Sequence, residues 1–313
     1  MARDLKVFSG NSNKGLAKEI CRHLNIPLSK LDISRFSNDN LFVQVKENVR
    51  EKDVFVIQSF SRPVSNHILE MLITLDALRS ASAKRITAVV PYYSYARSDK
   101  KDAPRISIAG RLMADLIKTA GANRVLTMDL HADSVHGFFS IPVDHLTAIP
   151  IICDHFKERL DIPKTVVVAT DAGGAKRAGR FANQMNASMA IIDKRRISDT
   201  DVVQGLVVGD VKGKDAIIFD DEISTGTTII TSVETLEKAG VRKIYVGTTH
   251  PVLSGPAVKN LKDLRVEEIV ATNTVQVPSN KKMKHLTILS VGMLLAEAIK
   301  RIHSGESVGA LFT

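Results

Sequence analysis

Tryptophan is missing and aromatic residues make up only 5% of the 313-residue chain, a scarcity that argues against a lectin-like or base-stacking surface. Cysteine is nearly absent as well. Cys21 and Cys153 lie in stretches that read as helices, away from any CxxC or Cys/His metal spacing, and are expected to be reduced and buried. No window reaches the ~18 apolar residues of a membrane span; the richest, Leu286 to Ile299, is interrupted by Ser290, Gly292 and Glu297. The opening residues Met1-Ala2-Arg3-Asp4-Leu5-Lys6 carry charge where a signal peptide needs an apolar run, so the expected location is the cytoplasm, with no membrane partner. Common nucleotide and hydrolase signatures are missing too. There is no GxGxxG, GxSxG or HExxH, and Gly209 to Lys214 has the wrong spacing for GxxxxGK[ST] and runs into Asp215. Any ATP site is therefore not a P-loop.

What is present is the material of two α/β domains. At roughly 150 residues per domain the length allows two, each able to bury a core, and a 44% hydrophobic, 25% charged composition is that of a globular protein. The 43 Lys and Arg against 34 Asp and Glu leave +9, which suits phosphate-bearing ligands as readily as nucleic acid. No recognised nucleic-acid module is present, and no nucleic-acid partner is expected. β-Branched runs at Asp53–Ile57, Arg85–Pro91, Arg124–Met128, Thr165–Ala169, Met189–Ile192, Ala216–Phe219, Lys243–Thr248 and Glu268–Ala271 alternate with amphipathic stretches. Those stretches are Lys14–Leu24, Asn66–Ala81, Ile106–Ala120, Ala148–Leu160, Ala175–Met185, Thr228–Ala239 and Val291–His303. The pattern predicts mainly parallel sheets flanked by helices, with helix stops at Gly121 and Gly240. One αβ series ends and another begins near residues 146–149. This places an N-terminal domain at 1–147 and a C-terminal one at 148–313, the last helix being a candidate to pack back on the first.

Polar residues gather at strand ends, where ligands bind in such sheets. Ile217-Ile218-Phe219-Asp220-Asp221-Glu222-Ile223-Ser224-Thr225-Gly226-Thr227-Thr228 is a buried strand running into two acids, a hydroxyl-rich turn and a helix. Amides of the turn and helix start, with the hydroxyls of Ser224, Thr225, Thr227 and Thr228, can cradle a phosphate. Asp220 and Asp221 beside it can bond the vicinal hydroxyls of a sugar; the plain alternative is an ordinary strand–Asx turn–helix junction. A second loop, Asp171-Ala172-Gly173-Gly174-Ala175-Lys176-Arg177, has glycines that let amides approach an anion and an Asp171 able to hold a hard cation. Otherwise it is a left-handed turn with Lys176 and Arg177 in solvent. Asp193-Lys194-Arg195-Arg196 is a charge run, by itself a solvated face. In the first half, Pro91-Tyr92-Tyr93-Ser94-Tyr95-Ala96-Arg97-Ser98-Asp99-Lys100-Lys101-Asp102 either stacks a base and grips phosphates or packs its tyrosines and exposes its charges. His131, in Asp129-Leu130-His131, ends a strand and is either structural or a ligand.

Together these segments resemble one family, the ribose-phosphate pyrophosphokinases (phosphoribosyl pyrophosphate synthetases), along nearly the whole chain. The match extends in order through Arg35-Phe36-Ser37-Asn38, Ser82-Ala83-Lys84, Gly137-Phe138-Phe139, Thr249-His250-Pro251-Val252-Leu253-Ser254-Gly255-Pro256-Ala257, Leu295-Ala296-Glu297 and Glu306-Ser307-Val308. The resemblance implies an α/β fold of two tandem phosphoribosyltransferase-like domains. It also implies Mg2+-dependent transfer of the pyrophosphoryl group of ATP to the anomeric hydroxyl of ribose 5-phosphate, releasing AMP, for nucleotide biosynthesis. Carried over position by position, Asp220, Asp221, Ser224, Thr225, Gly226, Thr227 and Thr228 would hold ribose 5-phosphate, and Asp171, Gly173 and Gly174 would form the pyrophosphate loop on the ATP side. Arg97, Ser98, Asp99 and Asp102 would meet ATP, with Phe36, Asn38 and Asn40 reaching the adenosine from a neighbouring subunit. His131 and Asp171 would serve Mg2+, and Lys194 and Arg196 would be catalytic, closing over the transferring group. Sites shared in this way imply a homo-oligomer, dimer-based and up to a hexamer. The sequence departs from the family where Ser224 stands for an acid, Gly226 and Thr227 for a small residue and Gly, Ser98 for Gln, Asn40 for Glu, and Gly309 for the last Ser of a Ser-Val-Ser tail. A phosphoribosyltransferase, the competing enzyme, would need one such domain and a hood. A non-catalytic synthetase-associated subunit would be expected to have lost Lys194, Arg196, His131 or Asp171.

Overall fold

Runs without a polar face form the middle strands, as they must where helices cover both sides of a parallel sheet. Asp53–Ile57 and Thr165–Ala169 are buried at every position. A computed structural model describes residues 4–195 and 204–311. The chain runs β1 (Leu5–Ser9), α1 (Lys14–His23), β2 (Leu31–Arg35), β3 (Leu41–Val45), β4 (Asp53–Ile57), α2 (Val64–Ser80), β5 (Arg85–Val90), α3 (Ala109–Ala120), β6 (Arg124–Met128) and β7 (Val143–Leu146). It continues through α4 (Ile149–Lys157), β8 (Thr165–Ala169), α5 (Ala175–Met185), β9 (Ser188–Arg195), β10 (Gln204–Val208), β11 (Asp215–Ile223) and α6 (Thr227–Lys238). The last elements are β12 (Lys243–Pro251), α7 (Ala257–Lys262), β13 (Glu268–Thr272), β14 (Leu286–Leu289) and α8 (Gly292–Ser304).

These elements form two compact units, one of residues 1–147, 274–276 and 290–313, the other of 148–273 and 277–289. The first holds a parallel sheet in the order β1-β4-β5-β6-β7, with β2 and β3 as a separate antiparallel hairpin. Its core gathers Phe8, Phe60, Leu75, Val90 and Tyr93. The second holds the order β10-β9-β8-β11-β12-β13-β14, parallel except where β10 runs against β9, over a core that includes Val168, Ile218, Leu236 and Val246. This is the mainly parallel α/β architecture expected.

Helix α8 belongs to the first unit for a stated reason. Arg85 grips Asp53 through Nε (2.8 Å) and Nη2 (2.5 Å) and also donates to the carbonyl of Ile302, while His303 Nδ1 lies 2.7 Å from the same carboxylate. The nearly buried Asp53 thus ties the last turn of α8 to the first residue of β4.

Several element ends differ from expectation. β11 runs on through both acids to Ile223, because β12 pairs with it as far as Ile223↔Pro251. α3 begins at Ala109, not Ile106, because the Ala109 N–H is held by the Ser98 hydroxyl. Leu286–Ile299 is not one apolar segment: β14 ends at Leu289 and α8 starts at Gly292. Among the described residues no helix is long and apolar enough to cross a membrane. Both cysteines are free and buried, in α1 and α4, and burial pushes Cys21 up to about 11.

Candidate active site

In the second unit, β11 pairs with β8 only as far as Phe219↔Ala169, while its pairing with β12 continues. Asp220 and Asp221 therefore sit on a strand that has outrun its neighbour, beside the loop by which the chain leaves β8. Arg177, in the first turn of α5, reaches into this gap, with Nη1 2.8 Å from Asp220 Oδ1 and 2.6 Å from Asp221 Oδ1. The Asp221 N–H donates to Asp220 Oδ1 at 2.9 Å, and Thr170 Oγ1 lies 3.4 Å from the other oxygen. Burial first, then the neighbouring Asp221 carboxylate, push Asp220 up to about 7, against the pull of Arg177. The pair is a partly neutralised acceptor surface of the kind that takes hydrogen bonds from a diol.

Past Ile223 the chain turns through Ser224–Gly226 into α6. Gly226 has φ +79, and a Cβ there would lie 3.1 Å from Leu261 Cγ, so conformation and space both require glycine. Thr225, Thr227 and Thr228 are exposed and Ser224 half-buried. The Thr225 and Thr227 hydroxyls are 3.2 Å apart, and the Ser224 hydroxyl is 2.8 Å from that of Ser254. Among the described residues, no hydrogen bond engages the N–H of Thr225, Gly226, Thr227 or Thr228. Four amides at the positive end of a three-turn helix form a ready anion cradle.

The Asp171 loop is tighter than a left-handed turn. Gly174 has φ −80, and its N–H donates to Asp171 Oδ1 at 2.8 Å. A Cβ on Gly173 would come within 3.2 Å of that oxygen, so close approach, not positive φ, explains the glycine. Asp171 itself is exposed. Arg177 proves not to be a solvated helix residue, and it is the functional candidate that sequence reasoning passed over. The signal was there: a cation in a first helical turn opposes the helix dipole, so something acidic must hold it. Lys194 contributes its backbone to β9, opposite Gly205; Arg196 lies outside the described residues.

In the first unit the loops after β5 and β6, neighbouring strands, meet directly. Ser134 Oγ donates to Asp99 Oδ2 at 2.8 Å. His131 is half-buried three residues beyond β6, and Arg97 is exposed at the end of a 3-10 turn, Ser94–Arg97. The tyrosines do not form a base platform. Tyr92 and Tyr93 are buried, and Tyr93 packs against Phe60 and Phe139 and donates its hydroxyl to the Gly110 carbonyl at 2.8 Å. Ser98 is also committed internally, accepting from the Ala109 N–H and donating to the Ser107 carbonyl. Asp102 is exposed near Lys100. Phe36, Asn38 and Asn40 sit apart from these loops in sequence and element, at the tip of the β2–β3 hairpin, where Phe36 is 57% exposed with its ring edge-on to Phe42. The Asn40 N–H donates to Asn38 Oδ1, closing the turn.

Comparison with known proteins covers nearly the whole chain. A family model described as the N-terminal domain of ribose phosphate pyrophosphokinase matches residues 5–121, and one described as the phosphoribosyl synthetase-associated domain matches 203–313. The chain is 50% identical to a ribose-phosphate pyrophosphokinase of Deinococcus radiodurans, covering 99% of this chain and 98% of the relative. Against the enzyme of the same name from Bacillus caldolyticus the identity is 46%, covering 98% of each. The structure resembles the crystal structure of phosphoribosylpyrophosphate synthetase from Mycobacterium smegmatis, with a TM-score of 0.92, 38% identity, and coverage of 97% of this chain and 100% of that one.

Proposed function

The chain belongs to the ribose-phosphate pyrophosphokinases, enzymes that make phosphoribosyl pyrophosphate, and from that premise we propose that the loops described above carry out the transfer from ATP to ribose 5-phosphate. The oxygen on the anomeric carbon attacks the β-phosphorus of ATP, the bond from that phosphorus to the α,β-bridging oxygen breaks, AMP departs and the hydroxyl proton passes to solvent. Asp220 and Asp221 accept hydrogen bonds from the ribose 2- and 3-hydroxyls, and the amides of Thr225–Thr228, joined by the Thr228 hydroxyl, take the 5-phosphate. Asp171, Gly173 and Gly174 face the pyrophosphate being moved. Arg97, Asp99 and Asp102 engage ATP, and Phe36, Asn38 and Asn40 offer an exposed hairpin tip to the adenosine of a neighbouring subunit, which makes the working species an oligomer. Lys194 and Arg196 supply positive charge where the equatorial oxygens become more negative, the main demand of phosphoryl chemistry. Ser98 shapes its loop through its bonds to Ala109 and Ser107.

Mg2+ fits this donor set. Among the described residues no three His, Cys, Asp or Glu side chains converge on one point, and Mg2+ characteristically takes only one or two protein carboxylates, completing its octahedron with water and substrate phosphates. Asp171, exposed with one oxygen held by the Gly174 amide, is such a carboxylate, and His131 would serve directly or through water. When bound, the ion supplies charge neutralisation on the triphosphate.

The observation that carries the reading is the acid pair of β11 followed at once by four uncommitted amides at the start of α6, a complementary surface for a pentose 5-phosphate. The test is to incubate the protein with Mg2+, ATP and ribose 5-phosphate and resolve the products. AMP must appear in step with phosphoribosyl pyrophosphate; ADP as the sole nucleotide product would mean an ordinary kinase and end the proposal.

A further inference from the structure

The loop Ser224–Thr228 leans on a segment, Leu253–Leu261, to which the reaction assigns no role. Three successive carbonyls, from the last residue of β11 into the loop, are taken by it. The Leu253 N–H donates to Ile223 O at 3.0 Å, the Ser254 N–H to Ser224 O at 2.9 Å, and the Asn260 side-chain amide to Thr225 O at 2.9 Å. The Ser254 hydroxyl is 2.8 Å from that of Ser224. The segment is itself held firmly: Leu253 is buried at φ +45, a region a leucine occupies only when its surroundings fix it there, and its carbonyl accepts from Lys281 Nζ at 2.7 Å. While the carbonyls are drawn to this side, the amides of Thr225–Thr228 stay uncommitted.

We propose that Ser254 and Asn260 are positioning residues for the sugar-phosphate loop. By fixing the Ser224 hydroxyl and the loop carbonyls they hold the amides toward the 5-phosphate, and so set the affinity for ribose 5-phosphate without touching it. Ser224, whose hydroxyl is shared with Ser254, then belongs to the frame of the loop. The inference rests on the reading that Ser224–Thr228 holds the 5-phosphate, and its test separates the two.

Initial rates are measured with ribose 5-phosphate varied at saturating Mg-ATP, and the reverse, for Ser254→Ala, Asn260→Asp, Ser254→Thr, Ser224→Ala and Ser224→Ala/Ser254→Ala, with Thr228→Ala as the direct-contact reference. Ser254→Ala and Asn260→Asp each raise the KM for ribose 5-phosphate about 3–10-fold, the size of one hydrogen bond, with the ATP KM and kcat within about twofold. Ser254→Thr, which keeps the hydroxyl, recovers most of the loss, and the double variant is no worse than Ser254→Ala because both changes delete the same hydrogen bond. An unchanged ribose 5-phosphate KM in Ser254→Ala and Asn260→Asp, with a raised one in Thr228→Ala, overturns the inference and leaves the site reading standing. So does a lowered thermal midpoint without a KM change, which reduces the segment to packing. If Thr228→Ala also leaves that KM unmoved, the site reading falls and the inference with it.

Discussion

The two units carry their candidate residues on loops of opposite construction. In the second, Asp220 and Asp221 are tied to Arg177, and Ser224 is tied to Ser254. In the first, Arg97 and Asp102 are exposed on turns, and the hairpin tip is exposed with Phe36 edge-on to Phe42 and the Asn40 N–H on Asn38 Oδ1. A small pentose phosphate with a fixed hydroxyl pattern is best met by groups ordered when the protein folds, since little is then lost on binding. A nucleotide reached from a turn and a separate hairpin must order its contacts as it binds. The second unit should therefore couple substrate affinity to stability, and the first should not.

The largest effect is expected at Lys194, on β9. Lys194→Ala should lower kcat by roughly 10²–10³-fold, with smaller changes in either KM, because the role proposed for its charge lies chiefly in the transition state. A near-wild-type kcat would return Lys194 to the solvated surface. Next comes Asp221→Ala, which removes one acceptor proposed for the ribose and unbalances the ion pair with Arg177. A loss of about 10²-fold in kcat/KM for ribose 5-phosphate and about 3 kcal/mol of stability should appear together in kinetics and urea unfolding. If affinity falls while stability holds, the coupling claimed for the second unit is wrong.

How much of this was legible beforehand follows from what kind of signal each feature leaves. β4 and β8 read cleanly because a strand buried on both faces must be apolar along its length past the first residue, here Asp53 and Thr165. Strands β2 and β3 did not, since half-buried positions alternate with exposed ones, Asp32 and Ser34 in one and Phe42 and Gln44 in the other, on a small hairpin, and β1 carries Lys6 at its second position. The acid pair and hydroxyl turn were visible as a string of residue types, yet the extension of β11 past β8 was not, because register is a property of two strands. Tyr92 and Tyr93 were ambiguous for the same reason: a tyrosine at a strand end looks alike whether it faces a ligand or Phe60. Arg177 and Ser254 contact the site across 43 and 30 residues of chain, a distance at which no local pattern speaks.

The raised Asp220 makes the comparison testable by pH. A carboxyl with a folded value near 7 and an ordinary unfolded one near 3.9 binds its proton more tightly when folded. Its contribution to stability is present below about pH 4 and lost as pH rises through 7. Substrate affinity runs the other way, because ribose hydroxyls donate to the ionised pair. Below pH 7 the KM for ribose 5-phosphate should rise by up to about tenfold per unit, and Asp220→Asn should flatten that dependence, leaving only the titration of the substrate's own phosphate. A profile unchanged in Asp220→Asn would place the titrating group elsewhere.

The smallest effect tests the first unit. Tyr93 holds the start of α3 through its hydroxyl on the Gly110 carbonyl, and Gly110 in turn donates its N–H to Ser98 O, so this pair of hydrogen bonds adds a link between the buried core and the Arg97 loop. Burial drives the Tyr93 phenol well above its usual range, so it remains a donor at any working pH. Tyr93→Phe keeps the ring against Phe60 and Phe139 and removes only that bond, at about 1 kcal/mol of stability. The ATP KM should rise about two- to fivefold as the loop loosens, while ribose 5-phosphate saturation at fixed ATP stays where it was. If the ribose 5-phosphate KM rises equally, the two loops share one ordering event, and the contrast between a preformed sugar site and an ATP side ordered on binding cannot stand.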